Sequence, residues 1–123
     1  MAPKLLTKKE VLAADDRATE IVEVPEWGGA VRVQALDAWQ QSKYEQSLFD
    51  TRLDERGKVQ VTSRREGENV RLAALGIVEE DGKPMFTEAE LRTKSAAAVN
   101  RCAAAIRRLS GMDTASKEKA AGN

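Results

Sequence analysis

The 123-residue chain contains no histidine, one cysteine and five aromatic residues. Without histidine it lacks the commonest general base at neutral pH, the commonest metal ligand, and the base of any Ser-His or Cys-His pair. A single cysteine excludes an internal disulfide and a zinc site built from several cysteines. These absences predict a protein that is not an enzyme, with no catalytic residues, no cofactor and no metal site.

Net charge and long hydrophobic runs are missing as well. Twenty basic residues balance 20 acidic ones, so no overall field attracts nucleic acid, and we predict no nucleic-acid partner. The longest apolar runs extend over a few residues, well short of the ~18 that suggest a membrane span. The beginning of the chain has no apolar stretch of the signal-peptide type. We therefore expect no membrane association and a cytoplasmic location.

Apolar residues make up 41% of the chain, but nineteen of them are alanine, so the core is expected to be modest in size and built largely from valine and leucine. The length suits one domain. We predict that residues 1–112 form this single domain. Residues 113–123 are small and polar and are predicted to form a flexible tail.

The clearest local pattern is an alternation of apolar and polar residues in TEIVEVPEWGGAVRVQAL, residues 19–36. Two alternating runs with a proline and two glycines between them predict a β-hairpin. A two-residue loop would pair Val24 with Val33, and a four-residue loop would pair Val24 with Val31. Both registers place four valines on one face, because they differ by two residues. These valines are Val22, Val24, Val31 and Val33.

Helix signals fill most of the remaining chain. Capping boxes begin at Thr7 and Thr87, where a threonine precedes a glutamate by three residues. Longer helices are predicted over about residues 37–53, 64–78 and 94–109. The segment DERGKVQVTS is predicted to be a loop in which Val59 and Val61 make a brief extended piece. Asp37 is the predicted N-cap, or a first-turn acid, of the helix over 37–53.

These patterns together predict an α+β fold that is mostly helical, with a small N-terminal β-hairpin and four to five short helices. The core should combine the valine face of the hairpin with the apolar sides of the third and last helices. The residues predicted to be buried are Val22, Val24, Val31, Val33, Leu72, Leu75, Val99, Cys102, Ile106 and Leu109.

The predicted helix over residues 37–53 has two apolar groups rather than one stripe. At about 100° per residue, Tyr44 and Leu48 lie together, and Trp39, Phe49 and Leu53 lie together on roughly the opposite side. A small core buries one such group easily. We therefore predict that one group packs inside and that the other is a contact surface for self-association or for a client protein.

Trp27 is a second candidate, because a large ring is not needed in the hairpin turn where it lies. It either folds back onto the first helix or forms an exposed anchor for a partner, since tryptophan is enriched in binding hot spots. The predicted partner-binding residues are therefore Trp27, Trp39, Phe49 and Leu53.

The order of these motifs resembles the tail assembly chaperones of long-tailed siphophages and prophages. The resemblance lies in LLTKKEVLAADD followed by the hairpin VEVPEWGGAVRV, then LAALGIVEEDGKPMFTEAEL, and finally KSAAAVNRCAAAIRRLSGM. It covers roughly residues 4–53 and 70–112, and it implies that the domain predicted over residues 1–112 is chaperone-like. The segment VPEWGG after an alternating strand is its most specific part.

The resemblance implies a protein that binds tape measure protein and helps recruit major tail protein subunits during tail morphogenesis in the bacterial host cytoplasm. It also implies absence from the mature virion, and that this chain is the short, non-frameshifted form. Two alternatives stay open. One is another small phage protein, a head–tail connector or tail completion protein, which would remain in the virion. The other is a nucleic-acid-binding regulator, which would shift DNA mobility in a salt-dependent way.

Overall fold

The structure, a computed structural model, describes residues 2–113. Within that range the chain forms five α-helices and five β-strands, and the strands make two separate antiparallel sheets. The fold is α+β with about 41% helix and 22% strand. The prediction of a mostly helical fold with a single small hairpin is therefore wrong, because it lacked the second sheet. The predicted tail at 113–123 lies, apart from Asp113, outside the described residues.

The helices and strands follow one another in a mixed order along the chain. The helices are α1 (Lys8–Ala13), α2 (Ala38–Ser47), α3 (Glu68–Gly76), α4 (Glu88–Leu91) and α5 (Ala96–Leu109). The strands are β1 (Thr19–Val24), β2 (Gly29–Gln34), β3 (Phe49–Leu53), β4 (Val59–Ser63) and β5 (Ile77–Val78). One turn of 3-10 helix at Pro25–Trp27 connects β1 to β2.

The first hairpin has the predicted face but neither of the predicted registers. Val24 pairs with Gly29 and Val22 pairs with Val31, because Pro25–Trp27 forms a helical turn that Gly28 closes with a φ of +77°. Glycine adopts this left-handed conformation without the steric cost of a Cβ. The observed register differs from both predictions by an even number of residues, so the four valines still share one face. Val24 and Val33 are fully buried there.

The predicted helix over 64–78 is shorter than expected and gives way to a strand. Helix α3 ends at Gly76, and Ile77 and Val78 form β5 on the outer edge of β2. Two β-branched residues are compatible with a strand, and the edge of β2 supplies the hydrogen-bonding partners. The three-stranded sheet therefore has the order β1-β2-β5.

The core lies where α5 packs against α3 and against the valine face of the first sheet. Seven of the ten residues predicted to be buried are buried, and Val31, Leu75 and Leu109 are half-buried. Cys102 is fully buried on α5, and burial raises the pKa of its thiol. This cysteine therefore packs as a small apolar side chain.

The two core helices approach each other closely at Gly76. A Cβ on Gly76 would lie 2.5 Å from Cδ1, 2.6 Å from Cγ1 and 2.8 Å from Cγ2 of Ile106. All three distances are far inside van der Waals contact, and the branched side chain of isoleucine is stiff. The absence of a side chain at residue 76 thus makes room for Ile106 in the core.

The helix starts confirm the capping predictions. Thr7 and Thr87 each accept a hydrogen bond from the amide of the residue three positions later, and that residue's glutamate side chain bonds back. Asp37 caps α2 in the same reciprocal way with Gln40. These local hydrogen bonds give partners to amides of the first helical turn that have no acceptor within the helix. Each cap contributes about 1 kcal/mol to stability.

An ion pair ties the turn of the first hairpin to the last helix. The guanidinium of Arg101 donates to both carboxylate oxygens of Glu26, with Nη1–Oε1 at 2.8 Å and Nη2–Oε2 at 3.0 Å. These hydrogen bonds from Arg101 lower the pKa of Glu26 from 4.5 to about 2. The same arginine thereby couples proton binding at residue 26 to folding.

This coupling predicts a specific loss of stability in acid. Above pH 4.5 Glu26 is ionised in both states, so its contribution is fully present; as the pH falls toward 2 the unfolded chain binds the proton first, and the contribution is lost. We expect the free energy of unfolding of the wild type to decline more steeply over this range than that of Glu26→Gln. Denaturation curves at several pH values measure the difference, and parallel curves would contradict the ion pair.

Candidate functional site

The segment predicted as the second half of a long helix is a strand. Helix α2 ends at Ser47, and Phe49–Leu53 forms β3 instead of continuing the helix. Strand β4 supplies the reason, because it pairs with β3 along its whole length, from Phe49 opposite Ser63 to Leu53 opposite Val59. The helical grouping of Trp39 with Phe49 and Leu53 is therefore wrong, although all three side chains are exposed.

The second hairpin, β3 with β4, exposes one apolar face. Residues directly opposite in an antiparallel pair point to the same side, so the odd-numbered residues of both strands share one face. Exposed fractions are 51% for Phe49, 71% for Leu53 and 61% for both Val59 and Val61. We call these four residues, Phe49, Leu53, Val59 and Val61, the hairpin face.

The opposite face of the second hairpin is polar. Arg52 Nε lies 3.0 Å from Asp50 Oδ2, and these two residues share that face with Gln60 and Thr62. The second hairpin is therefore amphipathic, with its apolar side open to solvent. This is the reverse of the first hairpin, whose apolar side forms part of the core.

Local hydrogen bonds shape the tip of the second hairpin. The Asp54 carboxylate accepts from the amides of Lys58, at 2.8 Å, and Arg56, at 2.9 Å. The pKa of Asp54 is lowered, first by the bond from the Lys58 amide and further by the bonds from Arg56 and Gln60. Gly57 completes the turn with a φ of +80°. An ionised Asp54 thus holds the loop that sets the strand register.

A single arginine fastens the base of the second hairpin to α3. Arg71 Nε donates to Ser47 Oγ at 3.0 Å, Nη1 to the Glu66 carbonyl at 2.7 Å, and Nη2 to the Arg64 carbonyl at 3.1 Å. It therefore holds the chain both before β3 and after β4. The hairpin is anchored at its base while its apolar face remains uncovered.

An uncovered face of this kind needs a physical explanation. An isolated two-stranded hairpin is marginal in water and is normally stabilised by a third strand or by packing. Over residues 2–113, β3 and β4 pair only with each other. Scattered apolar residues are ordinary on a protein surface, whereas a contiguous group marks an interaction site. The hairpin face is therefore the best candidate for a partner-binding surface.

A second uncovered apolar segment lies at the N-terminus. Five of the six α1 residues are exposed and Glu10 is half-buried, so this helix does not find the packing that its short length calls for. Its capping box and a salt bridge from Lys4 to Glu10 hold it locally. Exposed apolar side chains of this segment are Leu5, Leu6, Val11 and Leu12.

The four predicted partner-binding residues lie in three places. Phe49 and Leu53 lie on the hairpin face, and Trp39 is 71% exposed in the first turn of α2, with Lys43 Nζ 5.1 Å from the centre of its ring. Val59 and Val61, the other two residues of the hairpin face, are not among the four predicted residues. Their alternation with polar residues is the signal in the sequence, and on its own it predicts only a brief extended piece.

Trp27 lies apart from the hairpin face and is half-buried. Its ring packs edge-to-face on Phe86, with centroids 6.0 Å apart and planes at 61°. Its contact is therefore with the segment before α4, rather than with the first helix. The ring nitrogen Nε1 is buried and has no hydrogen-bonding partner among the described residues. The ring mainly covers one side of the core.

The described residues hold no group of three histidine, cysteine, aspartate or glutamate side chains that could bind a metal ion. Between residues 2 and 113, no helix is both long and apolar enough to cross a membrane.

Comparison of the chain with known protein families, with curated proteins and with solved structures finds no match.

Proposed function

We propose that this protein is a phage tail assembly chaperone that binds tape measure protein and helps recruit major tail protein subunits. The resemblance of the sequence motifs is the reason for proposing this family. The structural observation that supports the proposal is the exposed hairpin face. A chaperone of this kind needs an accessible apolar surface that a client covers reversibly. Phe49, Leu53, Val59 and Val61 offer one on a firmly anchored support.

The chemistry of the client fits such a surface. A tape measure protein is long and presents apolar segments that aggregate before the tail tube encloses them. Covering those segments lowers the apolar area in contact with water, at roughly 25 cal/mol per Å². An open face with separate side chains accepts different client segments, whereas a deep pocket would select one. The proposed role therefore requires contact and no reactive group.

Co-expression with tape measure protein tests the proposal. We expect the chain to raise the soluble fraction of tape measure protein and to co-purify with it, relative to tape measure protein expressed alone. No gain in solubility together with no co-purification would contradict the assignment.

The proposed role also places the protein in the host cytoplasm during assembly and not in the finished particle. Mass spectrometry of purified virions should then find major tail protein without this chain. A stoichiometric amount of the chain in the particle would instead favour a head–tail connector or tail completion protein.

A further inference from the structure

Among residues 2–113, no strand pairs with the outer edge of β3, so its main-chain groups are available for hydrogen bonding. Within the described part of the chain, β3 pairs with β4 alone. The amide of Asp54 donates to the Lys58 carbonyl at 2.8 Å, and antiparallel bonds alternate along a strand. The even-numbered residues of β3 therefore bond to β4, and the amides and carbonyls of Phe49, Thr51 and Leu53 point outward.

This edge lacks the usual protection against another strand. Natural edge strands are blunted by proline, by a bulge or by charges that repel a second copy. β3 contains no proline, and its pairing with β4 is continuous. Its two charges, on Asp50 and Arg52, have opposite signs, so they do not exclude an identical strand.

The sequence of β3, Phe-Asp-Thr-Arg-Leu, is complementary to itself when reversed. We propose that two copies of this protein pair antiparallel through their β3 edges, centred on Thr51. Asp50 of each copy then lies opposite Arg52 of the second copy, and Phe49 lies opposite Leu53 of the second copy. Opposite charges and apolar pairs are both favourable when they lie directly across two strands.

The direction of the main-chain groups in β3 is compatible with pairing centred on Thr51. In an antiparallel pair centred on Thr51, the outward groups of Phe49, Thr51 and Leu53 meet those of Leu53, Thr51 and Phe49 of the second copy. Each of these three residue pairs forms two main-chain hydrogen bonds, which makes six in all. The contact is isologous, so it closes as a dimer with two-fold symmetry and does not continue into a fibre.

The sequence of β4 is not complementary to itself in the way that the sequence of β3 is. Its sequence, Val-Gln-Val-Thr-Ser, contains no charged residue. Pairing two copies about Val61 would place Gln60 opposite Thr62, and no ion pair would fix the register. Charge complementarity therefore favours β3 as the edge that meets the second copy.

The dimer would be a single four-stranded sheet with the order β4-β3-β3-β4. The hairpin faces of the two copies would lie side by side and double the apolar surface. A five-residue edge is small beside stable interfaces, so association should depend on concentration. This pairing does not depend on the identity of the client, and it can exist without the proposed chaperone role.

Charge reversal tests the pairing directly. D50R gives β3 two cations, and R52D gives it two anions, so each variant alone places like charges opposite each other. We expect each to weaken self-association at least ~10-fold in sedimentation equilibrium. An equimolar mixture of D50R with R52D should associate again, and so should the double variant D50R/R52D. Circular dichroism of each variant checks that the fold is intact.

Two single proline substitutions, one in each strand of the second hairpin, identify the strand edge through which the copies associate. T51P removes an outward amide of β3, and V61P removes the corresponding outward amide of its cross-strand neighbour on β4. T51P should abolish association and V61P should leave it unchanged.

A wild type that stays monomeric up to about 1 mM would overturn the proposal. It would also be overturned by a D50R and R52D mixture that fails to associate, or by loss of association in V61P instead of T51P. If T51P does not fold, the charge-reversal mixture still decides the question.

Discussion

Replacing Ile106 with alanine is expected to lower the free energy of unfolding by about 2–5 kcal/mol. Ile106 is fully buried on α5 and fills the space that Gly76 leaves on α3. Removing three carbons there deletes contacts with α3 and leaves a cavity that two packed helices cannot close. Chemical denaturation measures the loss, and a change below about 1 kcal/mol would contradict the central position of Ile106.

Gly76→Ala provides the matched control for this prediction. An added Cβ would meet Ile106 at 2.5 Å, so we expect the single substitution to cost about 1–3 kcal/mol. In the double variant G76A/I106A, the new methyl group occupies part of the vacated space. Its cost should therefore be smaller than the sum of the two single costs by about 0.5–3 kcal/mol. Strict additivity would mean that the two helices do not meet at this point.

Replacing Phe49 and Leu53 together with serine is expected to weaken client binding at least ~30-fold, or about 2 kcal/mol. Both side chains are more than half exposed, so the substitution removes apolar contact area without opening the core. The thermal midpoint should change little. The measurement is the amount of tape measure protein that co-purifies, with binding affinity determined for a soluble apolar segment of that client.

Two further variants separate the client surface from the proposed dimer edge. V59S/V61S alters the hairpin face on β4 and leaves β3 intact, so it should also weaken client binding while self-association persists. Q60S/T62S alters the polar side of the same strand and should affect client binding little. If all three variants bound the client as tightly as the wild type does, the client would not use the hairpin face.

Short-range features of this protein were predictable from the sequence. The capping boxes at Thr7 and Thr87 involve residues three positions apart, and they form as expected. The shared face of Val22, Val24 and Val33 follows from strand alternation and is insensitive to the exact register. The buried stripe of α5 follows from helical periodicity in the same way, since both periods are properties of the backbone.

Contacts between distant residues decided the rest of the fold. Periodicity alone favoured a helix through Phe49 and Leu53, but the pairing of β3 with β4 overrides it. Ile77 similarly leaves the helical pattern because the edge of β2 is available to it. A short apolar segment has nearly equal local preferences for helix and strand, so the partner that it meets in the tertiary structure determines the outcome.

The same distinction between local pattern and long-range contact applies to the candidate surface. Composition and spacing were enough to predict Phe49 and Leu53 as contact residues and to exclude the common histidine- and cysteine-based chemistries. The position of Val59 and Val61 beside them, and the packing of Trp27 on Phe86, result from contacts between distant parts of the chain. Exposure depends on which surfaces meet after the chain has folded, and the local pattern around a residue does not contain that information.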